Sequence, residues 1–188
     1  MRLDWRADGP YAEIGGIDTL RDALEDARAV LPSEHLRQLG VLLILDHDPK
    51  GKALGLWRQD HEGVGIDLYL HPHVDALLPL PPRVRDFALR LHLAYTLYHE
   101  VGHHVTRLLN RRAAPPRKAA RVDQKIECWA DEYAEKRLGK LVARWLLPEG
   151  RADSSEARRA LSYALKALRM DSIISVDAPG TTEAVPAS

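Results

Sequence analysis

The sequence is poor in cysteine and has no excess of either charge, and these shortages narrow the classes of protein that fit. Cys128 is the only cysteine in 188 residues, which excludes an internal disulfide framework and is typical of a reducing compartment. Basic and acidic residues both number 27, so a nucleic-acid partner is not expected. The sequence also lacks a signal peptide and any run of roughly 18 apolar residues. Together these absences predict a soluble cytoplasmic protein without a membrane partner.

The length of the chain is sufficient for one hydrophobic core. We therefore expect a single domain over residues 1–175. The residues after Val176 are mostly small and polar, with two prolines, and cannot bury enough apolar surface to fold. Residues 176–188 are accordingly predicted to form a disordered tail.

Hydrophobic periodicity predicts an α+β fold in which a small twisted sheet of about three strands packs on two helices. The predicted strands are 41–45, 53–57 and 64–70, with 59–63 as a hairpin loop between the last two. The predicted helices are 18–30, 83–109, 118–138 and 153–170, and Gly139 ends or kinks the third before 141–147 continue as helix. Residues 71–82 are read as the close of the last strand and a proline-rich connection.

The long helix over 83–109 carries a buried charge. Between Arg90 and Arg107 the only formally charged side chain is Glu100, in an otherwise apolar stretch. A buried carboxylate is costly unless it is paired or has a function. Two histidines flank it in the pattern H-E-x-x-H, at positions 99 and 103. Residues four apart share a helical face, so both imidazoles can bind one metal ion, and Glu100 beside them can hold a metal-bound water.

A closed metal site needs a third ligand, and no histidine follows His104. The extended pattern H-E-x-x-H-x-x-G-x-x-H is therefore excluded. A carboxylate, Cys128 or an upstream histidine remains. The best candidate is Glu127 on the next helix, although an acidic helix face is more often simply solvated.

The face of the helix that carries Glu127 supports this choice. Ala130, Asp131 and Ala134 share that face by their spacing. The alanines let the helix pack close to the motif helix, where Gly102 also leaves room. Asp131 can then accept a hydrogen bond from the far nitrogen of a ligand histidine.

Three further residues are candidates for the lining of a cleft. Thr96 and His92 lie on the same helical stripe as the two ligand histidines. His92 either faces the cleft or is a satisfied core histidine, and the second reading is the commoner one. Tyr133 can donate a hydrogen bond to an oxyanion, yet helical tyrosines more often belong to the core.

The order of these residues resembles that of the gluzincin zinc peptidases, in which H-E-x-x-H is followed by E-x-x-x-D. More narrowly, T-x-x-H-E-x-x-H at 96–103 and E-x-x-A-D-x-Y-A at 127–134 resemble the ImmA/IrrE-type and minigluzincin families. Asp131 stands where those families often have asparagine, and the resemblance covers about residues 64–148. It implies zinc held by His99, His103 and Glu127, with Glu100 as the general base.

The resulting hypothesis is a zinc metallopeptidase, an endopeptidase that cleaves a peptide or protein substrate with a metal-bound water. The strand 64–70 is a natural edge for an extended substrate to pair with. The alternative is a non-catalytic, zinc-stabilised regulatory or interaction protein. A third, weaker possibility is a phage or toxin–antitoxin-type regulator that uses the peptidase fold. An open fourth metal position favours the enzyme, whereas a position closed by His92, His104 or another acid favours the alternative. The sequence predicts no oligomeric state.

Overall fold

The computed structural model of the protein describes residues 1–9, 11, 15–51, 53–61, 63–110 and 119–170, apart from some side chains at the helix ends next to 111–118. Its elements are the strands β1 (Arg2–Trp5), β2 (Leu39–Leu45), β3 (Gly55–Asp60) and β4 (Gly63–Tyr69), the helices α1 (Gly16–Ala29), α2 (Leu70–Leu77), α3 (Pro82–Asn110), α4 (Ala119–Trp145) and α5 (Ser155–Ala167), and a 3-10 turn at Ser33–Leu36. The predicted α+β class is confirmed. The predicted tail lies outside the described residues.

The sheet has four strands rather than about three, in the order β1-β2-β4-β3. The pairs β1–β2 and β2–β4 are parallel, and β3 pairs with β4 in the antiparallel sense. The prediction that 64–70 forms an edge is therefore wrong, because β4 lies between two neighbours. The free edge next to β4 belongs to β3, whose range also begins two residues later than predicted.

Two elements are missing from the sequence prediction. β1 is four residues long and gains its stability from pairing with β2, where Arg2 is opposite Val41. α2 begins at Leu70, although residues 71–82 were read as a strand end and a connection. Pro72 lies in the first turn of this helix, where a backbone N–H has no helical partner and proline is tolerated.

α3 is the element around which the others pack, and its buried residues include Leu89, Leu91, Leu93, Ala94, Leu97, Tyr98 and Val101. The Tyr98 hydroxyl donates to the Ala27 carbonyl at 2.9 Å and fixes α1 against this helix. Arg90 is only 3% exposed and forms ion pairs with Asp26 and Asp86. Within the described ranges, no helix combines the length and the hydropathy that crossing a membrane requires.

α3 and α4 approach each other closely at Gly102. A β-carbon placed on Gly102 would lie 2.9 Å from the α-carbon of Ala130, a distance that real β-carbons essentially never show. The predicted close packing of small residues is therefore present. α4 continues through Gly139 without a break, so this glycine neither ends the helix nor starts a new one.

Replacing Gly102 with alanine is expected to lower the free energy of unfolding by about 1–3 kcal/mol, because the backbone of α4 must move away. Urea unfolding of the metal-free protein measures this loss. Gly40→Ala is the control, since its new β-carbon would meet only the Val64 carbonyl at 3.5 Å, an ordinary contact. Equal stabilities of the two variants would contradict the tight contact.

Candidate metal centre

Three side chains from α3 and α4 converge on one point. Nε2 of His99 and Nε2 of His103 are 3.0 Å apart. Oε2 of Glu127 lies 3.3 Å from Nε2 of His99, and Oε1 of Glu127 lies 3.6 Å from Nε2 of His103. In the part of the chain that the structure describes, this is the one group of three or more such side chains close enough to hold a metal ion.

The spacing of these atoms fits a tetrahedral ion. Donors bound to zinc at 2.0–2.1 Å lie roughly 3.3–3.4 Å from one another. The nitrogen–nitrogen distance of 3.0 Å and the two nitrogen–oxygen distances of 3.3 and 3.6 Å, one for each carboxylate oxygen, bracket that value. Two imidazoles and one carboxylate are also a ligand set that zinc commonly takes. The cluster therefore has the donor types and the geometry of a metal centre.

Asp131 orients one of the histidines, as its spacing predicts. Its Oδ1 lies 2.9 Å from Nδ1 of His99, which leaves Nε2 directed at the centre. The same oxygen accepts a hydrogen bond from the Tyr95 hydroxyl at 3.0 Å. A carboxylate on the far nitrogen fixes the ring and makes the ligand nitrogen more basic. Tyr95 in turn fixes the carboxylate.

Glu100 lies beside the cluster and faces β3 instead of α4. Its Oε2 accepts a hydrogen bond of 2.6 Å from the backbone N–H of Trp57. Because this N–H is bonded to Glu100, it lies on the side of β3 that pairs with no strand. Gly55 permits the approach, since a β-carbon there would lie 2.7 Å from Thr96 and 3.1 Å from Glu100.

Burial dominates the electrostatics of the centre. It raises the pKa of Glu100 to about 7, and the nearby Glu127 acts in the same direction, whereas His99 and the Trp57 N–H oppose it. Burial also lowers the pKa of His103, assisted by His99 and opposed by Glu127. A histidine that resists protonation keeps its lone pair available for a metal.

A comparison of the chain with models of protein families, with curated proteins and with solved structures finds no match. The family resemblance of the two motifs therefore stays a prediction.

The three predicted cleft residues have partners of their own. The Thr96 hydroxyl donates to the His92 carbonyl one turn earlier at 3.1 Å, beside Gly55. The Tyr133 hydroxyl lies 2.7 Å from Nδ1 of His35, in the 3-10 turn. Thr96 is therefore next to Glu100, whereas the Tyr133 hydroxyl connects α4 to the 3-10 turn.

His92 pairs with His73 of α2, and their Nδ1 atoms are 3.2 Å apart. One of these nitrogens carries a hydrogen and donates it to the other. His73 is fully buried, and burial, followed by His92, lowers its pKa to about 3 against a smaller effect of the Leu54 carbonyl. Burial also lowers the pKa of His92.

This pair predicts a loss of stability in acid. The ordinary pKa of about 6.5 applies to His73 in the unfolded chain, so below pH 6.5 that chain binds a proton which the folded protein excludes. The free energy of unfolding should fall by up to about 1.4 kcal/mol per pH unit between pH 6.5 and 3. Urea unfolding at pH 7.5 and 4.5 in chelator measures it. His73→Asn should flatten the dependence, and an unchanged slope would contradict the explanation.

Two residues of α3, His104 and Arg107, contact the indole of Trp57. Its Nε1 lies 3.4 Å from Nδ1 of His104, whose Nε2 lies 2.8 Å from the Arg37 carbonyl. His104 therefore donates to the carbonyl and accepts from the indole. The guanidinium of Arg107 lies over the Trp57 ring, with 4.2 Å between its central carbon and the ring centroid.

Sequence reasoning missed Trp57, Tyr95 as a partner of Asp131, and the pair His73–His92. Gly55 is the signal that was available for Trp57, because a glycine within a strand often marks a close approach of another element. No local pattern indicates the other two contacts, since they depend on the packing of separate elements.

Proposed function

We propose that the protein is a zinc-dependent peptidase. The observation that carries the proposal is the group of His99, His103 and Glu127, which no fourth donor joins among the described residues. A zinc ion with three protein ligands keeps a position for water and substrate. The two nearby histidines that could close this position are hydrogen-bonded elsewhere, His92 to His73 and His104 to Arg37.

In this proposal His99, His103 and Glu127 hold zinc, which supplies Lewis-acid polarisation of the scissile carbonyl and acidifies water. Glu100 takes the proton of the attacking water and later delivers it to the leaving amine. The Trp57 N–H fixes one carboxylate oxygen, so the other is available for this proton.

The free edge of β3 is the proposed binding site for an extended substrate. Trp57 contributes its N–H to Glu100, and residues two positions away on a strand present their backbone groups to the same side. Gly55 and Gln59 therefore flank Glu100 along this edge. A peptide that pairs there runs past the general base, with main-chain hydrogen bonds for affinity.

Metal analysis combined with a library of internally quenched peptides tests the function. We expect one zinc ion per purified chain, and cleavage that stops in chelator and returns with added zinc. Folded protein that contains no metal, and whose melting temperature changes with neither chelator nor zinc, would refute the metal site. Stoichiometric zinc without cleavage of any peptide would instead support the non-catalytic, zinc-stabilised alternative.

Trp57→Pro tests the contact between β3 and Glu100, because it removes the N–H on the unpaired side of an edge strand. A hydrogen bond to a charged group contributes about 1.5–3 kcal/mol, so kcat should fall at least about tenfold at unchanged zinc content. Trp57→Phe keeps the N–H and is the control for the lost indole. Equal kcat values in the two variants would contradict the role of the N–H.

A further inference from the structure

Arg107 places a positive charge beside the candidate metal centre. It follows His103 by four residues and Glu100 by seven in α3, so the three side chains lie within about 60° on the helix. Its guanidinium is stacked on Trp57, whose indole is hydrogen-bonded to His104. Arg107 is exposed, and its guanidinium is supported by the Trp57 indole of β3.

The acids of the centre are paired with other groups. Glu127 faces the two imidazoles, Asp131 faces His99 and Tyr95, and Glu100 accepts from a backbone N–H. None of the ion pairs within the described ranges involves Arg107. A stacked guanidinium that the described acids leave unpaired presents its hydrogen-bond donors to an incoming anion.

The two sides of the centre differ in charge. The α4 side carries Glu127 and Asp131, whose side chains are half exposed. A bound divalent ion offsets these two negative charges, whereas Arg107 on the other side stays positive and attracts a carboxylate of a bound molecule. The planar guanidinium pairs with a carboxylate through two parallel hydrogen bonds, which a neutral amide cannot reproduce.

We propose that Arg107 binds a carboxylate of the substrate next to the bond that is cleaved. The inference rests on the proposed peptidase function and specifies its substrate class, which is peptides with an acidic residue or a free carboxyl terminus at that position. Both sources present the same group to the guanidinium.

Equilibrium binding tests the proposal separately from turnover. Zinc-loaded Glu100→Gln protein is titrated into fluorescein-labelled hexapeptide libraries, each with Glu or Gln fixed at one position and with a free or amidated carboxyl terminus. We expect one of two preferences, each at least tenfold in the dissociation constant. Either the library with Glu binds more tightly than the matched library with Gln, or the library with a free carboxyl terminus binds more tightly than the amidated one. The preference should fall below twofold when Arg107→Gln is added. Arg159→Gln, an equal charge change at an exposed position of α5, should retain it.

Three results would overturn the proposal. They are equal binding of all matched members, no binding of any library up to millimolar concentration, and a preference that survives Arg107→Gln. Cleavage of the same libraries by wild-type protein distinguishes the two proposals. Zinc-dependent cleavage without a carboxylate preference refutes the role of Arg107 alone, whereas the preference without cleavage refutes the peptidase alone.

Discussion

Glu100→Gln is expected to reduce kcat by about 10²–10⁴ and to leave zinc binding intact, since a positioned general base contributes an effect of this size. Glutamine has almost the same shape, and its carbonyl oxygen can still accept the N–H of Trp57. It cannot take a proton from water. The substitution also removes a buried carboxyl whose ionised form is disfavoured, so the variant should be at least as stable as the wild type.

Steady-state kinetics, zinc content and melting temperature, all measured on the same preparations, check this prediction. Glu25→Gln is the matched control, because Glu25 is exposed on α1 and the same carboxyl group is replaced by the same amide. A Glu100→Gln protein that keeps more than a tenth of wild-type kcat would exclude Glu100 as the base. Loss of zinc in the variant would instead show that Glu100 helps to hold the metal.

Glu127→Gln is expected to raise the dissociation constant for zinc more than about 100-fold. The substitution replaces an anionic ligand with a neutral amide. Even the loss of a group that only hydrogen-bonds to a ligand lowers metal affinity by about 10–100-fold. Asp131→Asn should accordingly weaken zinc binding by about 10–100-fold, because His99 keeps its nitrogen at the centre but loses the carboxylate behind it. The two variants therefore form a graded pair.

Competition with a chromophoric chelator measures the dissociation constant for zinc of the wild type, of both variants and of a control. Glu132→Gln is the control, since Glu132 is an exposed neighbour of Asp131 on another face of α4. Equal affinities of Glu127→Gln and Glu132→Gln would remove Glu127 from the ligand set. An Asp131→Asn effect larger than that of Glu127→Gln would reverse the two assigned roles.

The ligand group could be predicted because it depends mostly on helical regularity. His99 and His103 share a face by a spacing of four, and Glu127 and Asp131 do the same on the next helix. The contact between the helices was indicated by Gly102 and the alanines, whose small side chains permit close approach. Local periodicity thus predicts most of the candidate metal centre.

The surroundings of Glu100 could not be predicted in the same way. Its partner Trp57 is 43 residues away, and their contact depends on β3 being the edge of the sheet. Strand order is set by pairing between distant segments, which hydrophobic patterns do not specify. The same reason explains why β4 was assigned to the edge and why β1 was missed. The contact between His73 and His92 depends on α2, which was not predicted because Pro72 in its first turn was read as a sign of a connection.

The origin of all three ligands in two consecutive helices has a consequence for the order of folding. His99 and Glu127 are 28 positions apart (127 minus 99), whereas β1 pairs with a strand 39 positions away and Trp57 is 43 positions from Glu100. Contacts between nearby segments close smaller loops and form faster. The helical pair therefore needs neither β1 nor Trp57 in place to bring its three donor side chains together. A chain in that state would bind a metal ion while Glu100, the proposed general base, still lacks its Trp57 partner.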